Sequence, residues 1–147
     1  METFDPLAQP LESSREHTAA ITLSVEECRS LLSGTHVGRV AVSIGALPAI
    51  FPVRYLMHDD AIWFRAANDG ALLRACSGSV VAFEIDGCDD SGSFDRSVLV
   101  RGIAEEVVDP VRLESVEPRW FTGSSHGPGI DRYLALPITI VSGLRYV

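Results

Sequence analysis

Two arginines and an asparagine surround a short helix that the sequence predicts after a strand. Arg65 lies near the end of an extended stretch, and Asn68 comes three residues after it. The next apolar segment contains Leu72 and Arg74. Free backbone N–H groups at a helix start attract anions, and guanidinium groups add charge-assisted hydrogen bonds. This arrangement indicates a phosphate cradle. The alternative is a connecting helix with solvated arginines.

A β-hairpin is predicted to position this cradle. Residues 47–57 are apolar, β-branched and aromatic, residues 58–60 (His-Asp-Asp) supply turn chemistry, and residues 61–66 resume an extended pattern. Asn68 or Asp69 is expected to cap the short helix. The second strand of the hairpin would therefore deliver Arg65 directly to the helix N-terminus.

Composition restricts the class of protein. The 147 residues are enough for one domain with a real core, and the hydrophobic fraction of 46% is typical of a folded globular protein. A net charge of −8 disfavours a general nucleic-acid binder. No apolar run reaches the length of a membrane span and no signal peptide pattern is present, so a cytoplasmic location is expected.

The sequence identifies neither a metal site nor a catalytic residue. The three cysteines have no paired metal spacing and are odd in number, which argues against zinc and against a disulfide framework. The four histidines are dispersed, with no nucleophile or acid placed near any of them in a triad pattern. An acidic loop over residues 87–95 lacks the spacing of a calcium loop and is expected to be a solvated turn.

The chain is expected to form a loose arm over residues 1–22 and a single domain over residues 23–147. Ser24 and Glu27 form a capping box at the start of a helix that should run from Val25 to about Ser33. Gly34 then offers a helix stop.

The remaining segments predict a small, mainly β (α+β) domain with about six strands and three short helices. Short connections favour antiparallel neighbours, so a six-stranded antiparallel split β-barrel fits best, with an open sheet as the alternative. Gly102 is expected to introduce a bulge or bend. Asp109-Pro110 should begin a helix that runs to about Val116. The final strand is expected to be broken at Pro137 and Gly143.

An irregular segment is predicted over residues 117–131. Its aromatic residues Trp120 and Phe121 are expected either to form a lid or subunit contact, or to pin the segment to the barrel.

The succession of segments resembles one family, the pyridoxamine 5′-phosphate oxidase-like, FMN-binding split barrels, especially their short actinobacterial members. The resemblance covers most of residues 23–116. The matching segments, in order, are LSVEECRSLL, VGRVAVS, PAIFPVRY, IWFRAA leading into a helix, VVAFEID, and SVLVRGIAEEV followed by Asp-Pro.

The resemblance implies an FMN-binding homodimer with two sites at the subunit interface. It implies that the isoalloxazine lies along Pro52, Val53, Arg54 and Tyr55. It further implies that the phosphate is held at Arg65, Ala66 and the start of the next helix, which includes Asn68 and Leu72. The partner subunit would contribute from the strand that begins near Ser97.

The sequence departs from the family pattern at three positions. Ala66 and Ala71 replace a threonine and a lysine that bind phosphate in family members, and Arg96 replaces a tryptophan. Arg74 or Arg54 is expected to compensate, and backbone amides alone can hold phosphate. Otherwise the site would hold a deazaflavin or no ligand.

Three functions are compatible with these observations. The first is a flavin-dependent oxidoreductase, more specifically a reductase of an unknown small molecule, in which the flavin supplies the chemistry and Arg54 supplies a charge near the ring. The second is a non-catalytic module that binds flavin, deazaflavin or haem, for which His36 or His126 would have to lie at the pocket rim. The third is a scaffold dimer with an empty cleft.

Overall fold

The structure, a computed structural model, describes residues 20–88, 94–120 and 131–146. These residues form eight strands and three helices. The strands are β1 (Ala20–Thr22), β2 (Val37–Ile44), β3 (Leu47–His58), β4 (Ala61–Ala67), β5 (Ser79–Cys88), β6 (Phe94–Val107), β7 (Asp131–Pro137) and β8 (Ile140–Tyr146). The helices are α1 (Val25–Ser33), α2 (Ala71–Cys76) and α3 (Pro110–Trp120).

Six of the strands close into an antiparallel barrel, which confirms the predicted fold class. The order around the ring is β6-β5-β2-β3-β4-β7, and β7 returns to pair with β6. Strands β8 and β1 extend the sheet beyond β6. Closure of the ring rules out the open sheet, because every barrel strand has a neighbour on both sides.

Alternation of side chains fills the barrel as the sequence predicts. On β2, Val40 and Val42 point into the core while Val37 and Arg39 are exposed. On β5, the inward residues include Phe83, which is fully buried. The interior is therefore a packed apolar core, with no buried polar or charged residue among those described.

The two short helices α1 and α2 close opposite ends of the barrel. The predicted capping box is present: Ser24 Oγ accepts from the Glu27 amide at 3.1 Å, and Glu27 accepts from the Ser24 amide at 2.8 Å. Cys28 and Leu32 of α1 are buried in the core. At the other end, Cys76 of α2 is fully buried.

Helix α3 covers the outside of the barrel. Asp109 accepts from the Val111 amide at 3.0 Å and Pro110 is the first helical residue, as predicted. The helix extends to Trp120 rather than ending near Val116. Val116 packs in a second apolar cluster, against the outward-facing Trp63.

Three expectations about strands and the N-terminal arm need correction or comment. Gly102 does not form a bulge, because the β5–β6 register is continuous there and shifts only at Gly87/Cys88. Gly102 instead lies where β6 leaves β8 and approaches β7. Gly143 does not break β8, because it pairs with Val98, whereas the chain does leave its strand after Pro137. Residues 20–22, expected in the arm, form β1 against β8.

The segment predicted to be irregular over residues 117–131 is helical at residues 117–120, which belong to α3, and Asp131 begins β7. The rest of it, with Phe121 and His126, lies outside the described residues. The boundary between an arm and a domain at residue 22 stays a prediction.

Candidate functional site: a split between strands β3 and β4

Strands β3 and β4 separate along part of their length. They pair from His58↔Ala61 to Tyr55↔Phe64. Before Tyr55, β3 pairs with β2, and after Phe64, β4 pairs with β7. Among the described strands, one backbone edge of residues 47–54 and one of residues 65–67 therefore have no partner. Backbone N–H and C=O groups at such an edge are available to a ligand.

The residue types explain why the ladder stops at Tyr55↔Phe64. The next pair would set Arg54 directly opposite Arg65, and like charges opposite each other destabilise a sheet. Two positions further on, β3 has Pro52, which lacks the N–H that a ladder requires. The split is thus encoded by a pair of arginines and a proline.

The two arginines at the narrow end of the split differ in environment. Arg54 is exposed, with no ion-pair partner among the described residues. Arg65 keeps only 15% of its side chain exposed and lies 3.6 Å from the carboxylate of Asp131. Arg65 lies on the same outer face of β4 as Trp63. Asp131 offsets the positive charge of Arg65, which was expected to bind phosphate. Arg54 is the cation that remains free for a ligand.

Helix α2 lies at the wide end of the split, but its start differs from the prediction. Its N-cap is Gly70 with no side-chain hydrogen bond, so neither Asn68 nor Asp69 caps it. Asp69 instead has a positive φ of 61° in the turn before the helix. The Asn68 amide oxygen accepts from Arg132 Nε at 3.3 Å, which draws Asn68 towards β7.

A cleft at this end contains Arg74, the other arginine of the predicted cradle, which forms no ion pair with another described residue. It has a volume of about 220 Å³ and lies between α2 and the β2–β3 turn. Arg74 lines it together with Ala71, which stands at the lysine position of the family pattern. Arg74 also donates to the backbone carbonyl of Asp69, which holds its side chain beside the helix start. The residues lining the cleft are Ser43, Ile44, Gly45, Ala71, Arg74 and Ala75.

Several predicted site residues present only their backbone to the split. The side chains of Val53, Tyr55 and Ala66 belong to the buried core, and Leu72 packs against it. Pro52 is exposed but has no N–H. A ligand along β3 would therefore contact main-chain atoms there, with Arg54 as the polar side chain.

Ser97 lies apart from the split within one chain. It is on β6 and pairs with Asp86 of β5 and Leu144 of β8. Strands β5 and β2 lie between it and β3. The contact of Ser97 with a ligand in the split therefore stays a prediction, because a second subunit would have to supply this residue.

The opposition of Arg54 and Arg65 was missed at the level of sequence. Its signal was present: with a two-residue turn at Asp59-Asp60, counting back from His58↔Ala61 sets these arginines opposite each other. Among the described residues no group of three or more metal-ligating side chains occurs. No helix in the described part is long and apolar enough to cross a membrane.

Comparison with known proteins identifies the family. The profile of the pyridoxamine 5′-phosphate oxidase family matches residues 24–145. The chain belongs to this family. An uncharacterised protein of Mycobacterium tuberculosis is 33% identical over 144 residues, which cover 92% of this chain and 90% of the relative.

Solved structures extend the comparison to flavin-binding proteins. The FAD-binding protein of Mycobacterium smegmatis is 27% identical with a TM-score of 0.69, covering 85% of this chain and 96% of its own. A protein of Corynebacterium glutamicum described as a putative pyridoxamine 5′-phosphate oxidase is 24% identical with a TM-score of 0.72, covering 88% and 99%. The similarity to the Corynebacterium glutamicum protein supports the fold alone.

Proposed function

We propose that this protein binds a flavin nucleotide in the split between β3 and β4 and acts as an oxidoreductase, specifically a reductase of a small molecule. One observation carries the proposal: the unpaired backbone edges open between a free arginine, Arg54, and a cleft that contains Arg74. A planar ring with a distant phosphate requires such an elongated site, with hydrogen-bonding groups along one side and a cation at the end.

The residues present fit a flavin nucleotide at both ends of the split. Arg74 would hold the phosphate by charge-assisted hydrogen bonds, in place of the lysine that Ala71 lacks. The edge of β3 near Val53 would hydrogen-bond the ring, and Arg54 would favour negative charge on the ring edge beside it. A bound flavin would supply hydride and electron transfer, so the chain itself need contain no acid or nucleophile.

We further propose that two copies form a homodimer through the outer face of the sheet made by β3, β2, β5, β6 and β8. In register, this face presents exposed apolar side chains on all five of these strands. They are Val37, Ile50, Val80, Ile103, Ile140 and Leu144, each at least 37% exposed. Exposed apolar side chains spread over neighbouring strands are typical of an interface, and the ion pairs of Arg39 with Glu84 and Asp86 lie among them on this face.

FMN is the flavin that we propose, and FAD is the second candidate. The FAD-binding relative from Mycobacterium smegmatis favours FAD, because it is 27% identical and matches nearly its whole length. The alternative function is a module that binds a flavin, a deazaflavin or a haem-type ligand without catalysis. Its support is the alanine at each of positions 66 and 71.

The visible absorption spectrum of the purified protein tests the proposal. We expect flavin bands between roughly 350 and 500 nm either as purified or after adding FMN, together with a higher thermal midpoint, because a ligand that binds only the folded state stabilises it. Extraction and mass measurement of the bound flavin decide between FMN and FAD. Absence of bands and of any shift with both flavins, well above micromolar concentration, would overturn flavin binding.

A further inference from the structure

A separate cleft lies at the other end of the barrel, beneath the C-terminal end of α1. Its volume is about 110 Å³, and a cavity of roughly 150 Å³ in another protein holds benzene. The lining residues are Ser30, Leu31, Gly34, Thr35, Ile85, Asp86, Gly87, Arg96, Ser97 and Val98. From this cleft we infer a binding site for a small monocarboxylate with a short apolar chain.

The inner part of the cleft is apolar. Ile85 and Val98 are buried on the inward side of β5 and β6, and Leu31 packs against the same core from α1. These three side chains offer a surface to a chain of two to four carbons. The size of the cleft excludes a flavin ring, and within one chain the cleft lies apart from the split, although Ser97 in its lining is also the residue predicted to reach the flavin site of a second subunit.

Arg96 supplies the cation at the rim. Its guanidinium lies over Gly87: a methyl group at Gly87 would come within 2.7 Å of Arg96 Nε and 3.0 Å of Cζ. The glycine thus permits the arginine to lie flat against the strand. Arg96 Nη1 forms an ion pair with the neighbouring Asp95, at 3.4 and 3.5 Å from its two carboxylate oxygens, which is the long limit of a hydrogen bond. Within the described part of the chain, this contact involves Nη1 alone, so the other N–H groups of the guanidinium remain available to a carboxylate.

The acidic group in the lining is already neutralised. The carboxylate of Asp86 accepts from Arg39 Nη1 at 2.8 Å, on the outer side of the sheet. Because Arg39 offsets the negative charge of Asp86, that carboxylate repels an anion bound at Arg96 only weakly. Without Arg39, Asp86 would repel it.

The carbonyl groups in the last turn of α1 carry partial negative charge, which would repel an anion. They add little repulsion here, because they already accept hydrogen bonds. The Gly34 amide donates to Ser30 and Leu31, and the Tyr55 hydroxyl donates to the Leu32 carbonyl at 2.5 Å. Since the Tyr55 proton is used in that bond, the Thr35 hydroxyl donates to Tyr55 at 2.5 Å. The Thr35 proton is therefore used within the chain. Arg96 is the cationic donor among the residues that line the cleft.

Titration of the whole protein with sodium butyrate, followed by amide NMR, tests this inference. At matched ionic strength we expect saturable shifts confined to residues 30–35, 85–87 and 96–98. Arg96→Gln should weaken binding about tenfold, since it removes a bidentate charged pair. Arg96→Lys should have an intermediate effect, because it keeps the charge and loses the fork.

The controls separate this site from general anion binding and from the flavin site. Arg101→Gln removes an exposed arginine of the same strand that does not line the cleft, and should leave butyrate affinity unchanged. Arg39→Gln should weaken binding by unmasking Asp86. Butyrate binding that is absent, equal in wild type and Arg96→Gln, or matched by butylammonium would overturn the inference. The flavin spectrum is recorded on the same samples, so either proposal can fail alone.

Discussion

At the scale of single residues, each end of the split carries an arginine that forms no ion pair with another described residue. Arg54 and Arg65 would face each other across a ladder that does not form, and Asp131 compensates one of them. Arg74 stands at the opposite end, in the cleft beside Ala71. From the sequence, the family pattern predicts a site in this region. It did not reveal that Arg65 turns to Asp131, because that contact joins residues 66 positions apart.

Replacing Arg74 by alanine should weaken flavin binding about tenfold or more, because a charge-assisted contact to phosphate is lost. Arg74 is exposed, so the free energy of unfolding should change by less than about 0.5 kcal/mol. Quenching of flavin fluorescence measures the affinity. Arg112→Ala, which removes an exposed arginine of α3, serves as the matched control, and equal affinities of the two variants would contradict the role of Arg74.

Cys76 should make stability fall at alkaline pH. Burial raises the pKa of its thiol to about 11, from an ordinary value near 9. The folded state therefore favours the protonated thiol: its contribution is complete below pH 9 and is lost as pH rises through about 11. A shift of this size is worth on the order of 2 to 3 kcal/mol. Urea midpoints between pH 8 and 10.5 should fall less steeply in Cys76→Ala, and parallel curves would contradict the assignment.

At the scale of elements, the local sequence determines most of the structure. The capping box sets the start of α1, and Asp109-Pro110 sets the start of α3. Alternation predicts the inward face of β2 and β5 correctly. The bulge expected as one option at Gly102 and the break expected at Gly143 were wrong for one reason: a glycine signals close approach as readily as a bulge or break. Whether a glycine marks a close approach, a bulge or a break depends on which strand or helix packs against it, and the order of residues along the chain does not reveal that neighbour.

Gly143 is required where β8 passes α1. A methyl group there would lie 2.6 Å from Cys28 Sγ and 3.0 Å from Leu23 Cδ1. We expect Gly143→Ala to destabilise the protein by about 1 to 3 kcal/mol, measured by denaturant unfolding. Adding Cys28→Ala should recover part of that loss, because it removes the nearest atom. Strictly additive effects of the two substitutions would contradict this packing.

At the scale of the whole molecule, the sequence predicted the barrel but not its outer surfaces. Strand periodicity and short connections lead to six antiparallel strands, and their closure is confirmed. The sequence did not show which outward apolar residues are covered. Trp63 is fully buried under α3, whereas Val80 on another outward face is 74% exposed. That difference depends on where α3 docks.

The proposed dimer predicts unequal effects of two matched substitutions. Val80 on the sheet face and Val111 on α3 are both 74% exposed. Val80→Lys should raise the dimer dissociation constant at least tenfold by placing a charge in the interface, whereas Val111→Lys should not. Sedimentation velocity measures both. A monomeric wild type, or equal effects of the two lysines, would contradict the proposed interface.

The central claim is that flavin occupies the split, and amide hydrogen exchange of flavin-free protein with and without FMN tests it most directly. We expect slower exchange in residues 47–54 and 65–74, where backbone edges and the start of α2 would be covered, and unchanged exchange in β8. Protection confined to other segments, or none at FMN concentrations well above micromolar, would contradict the claim.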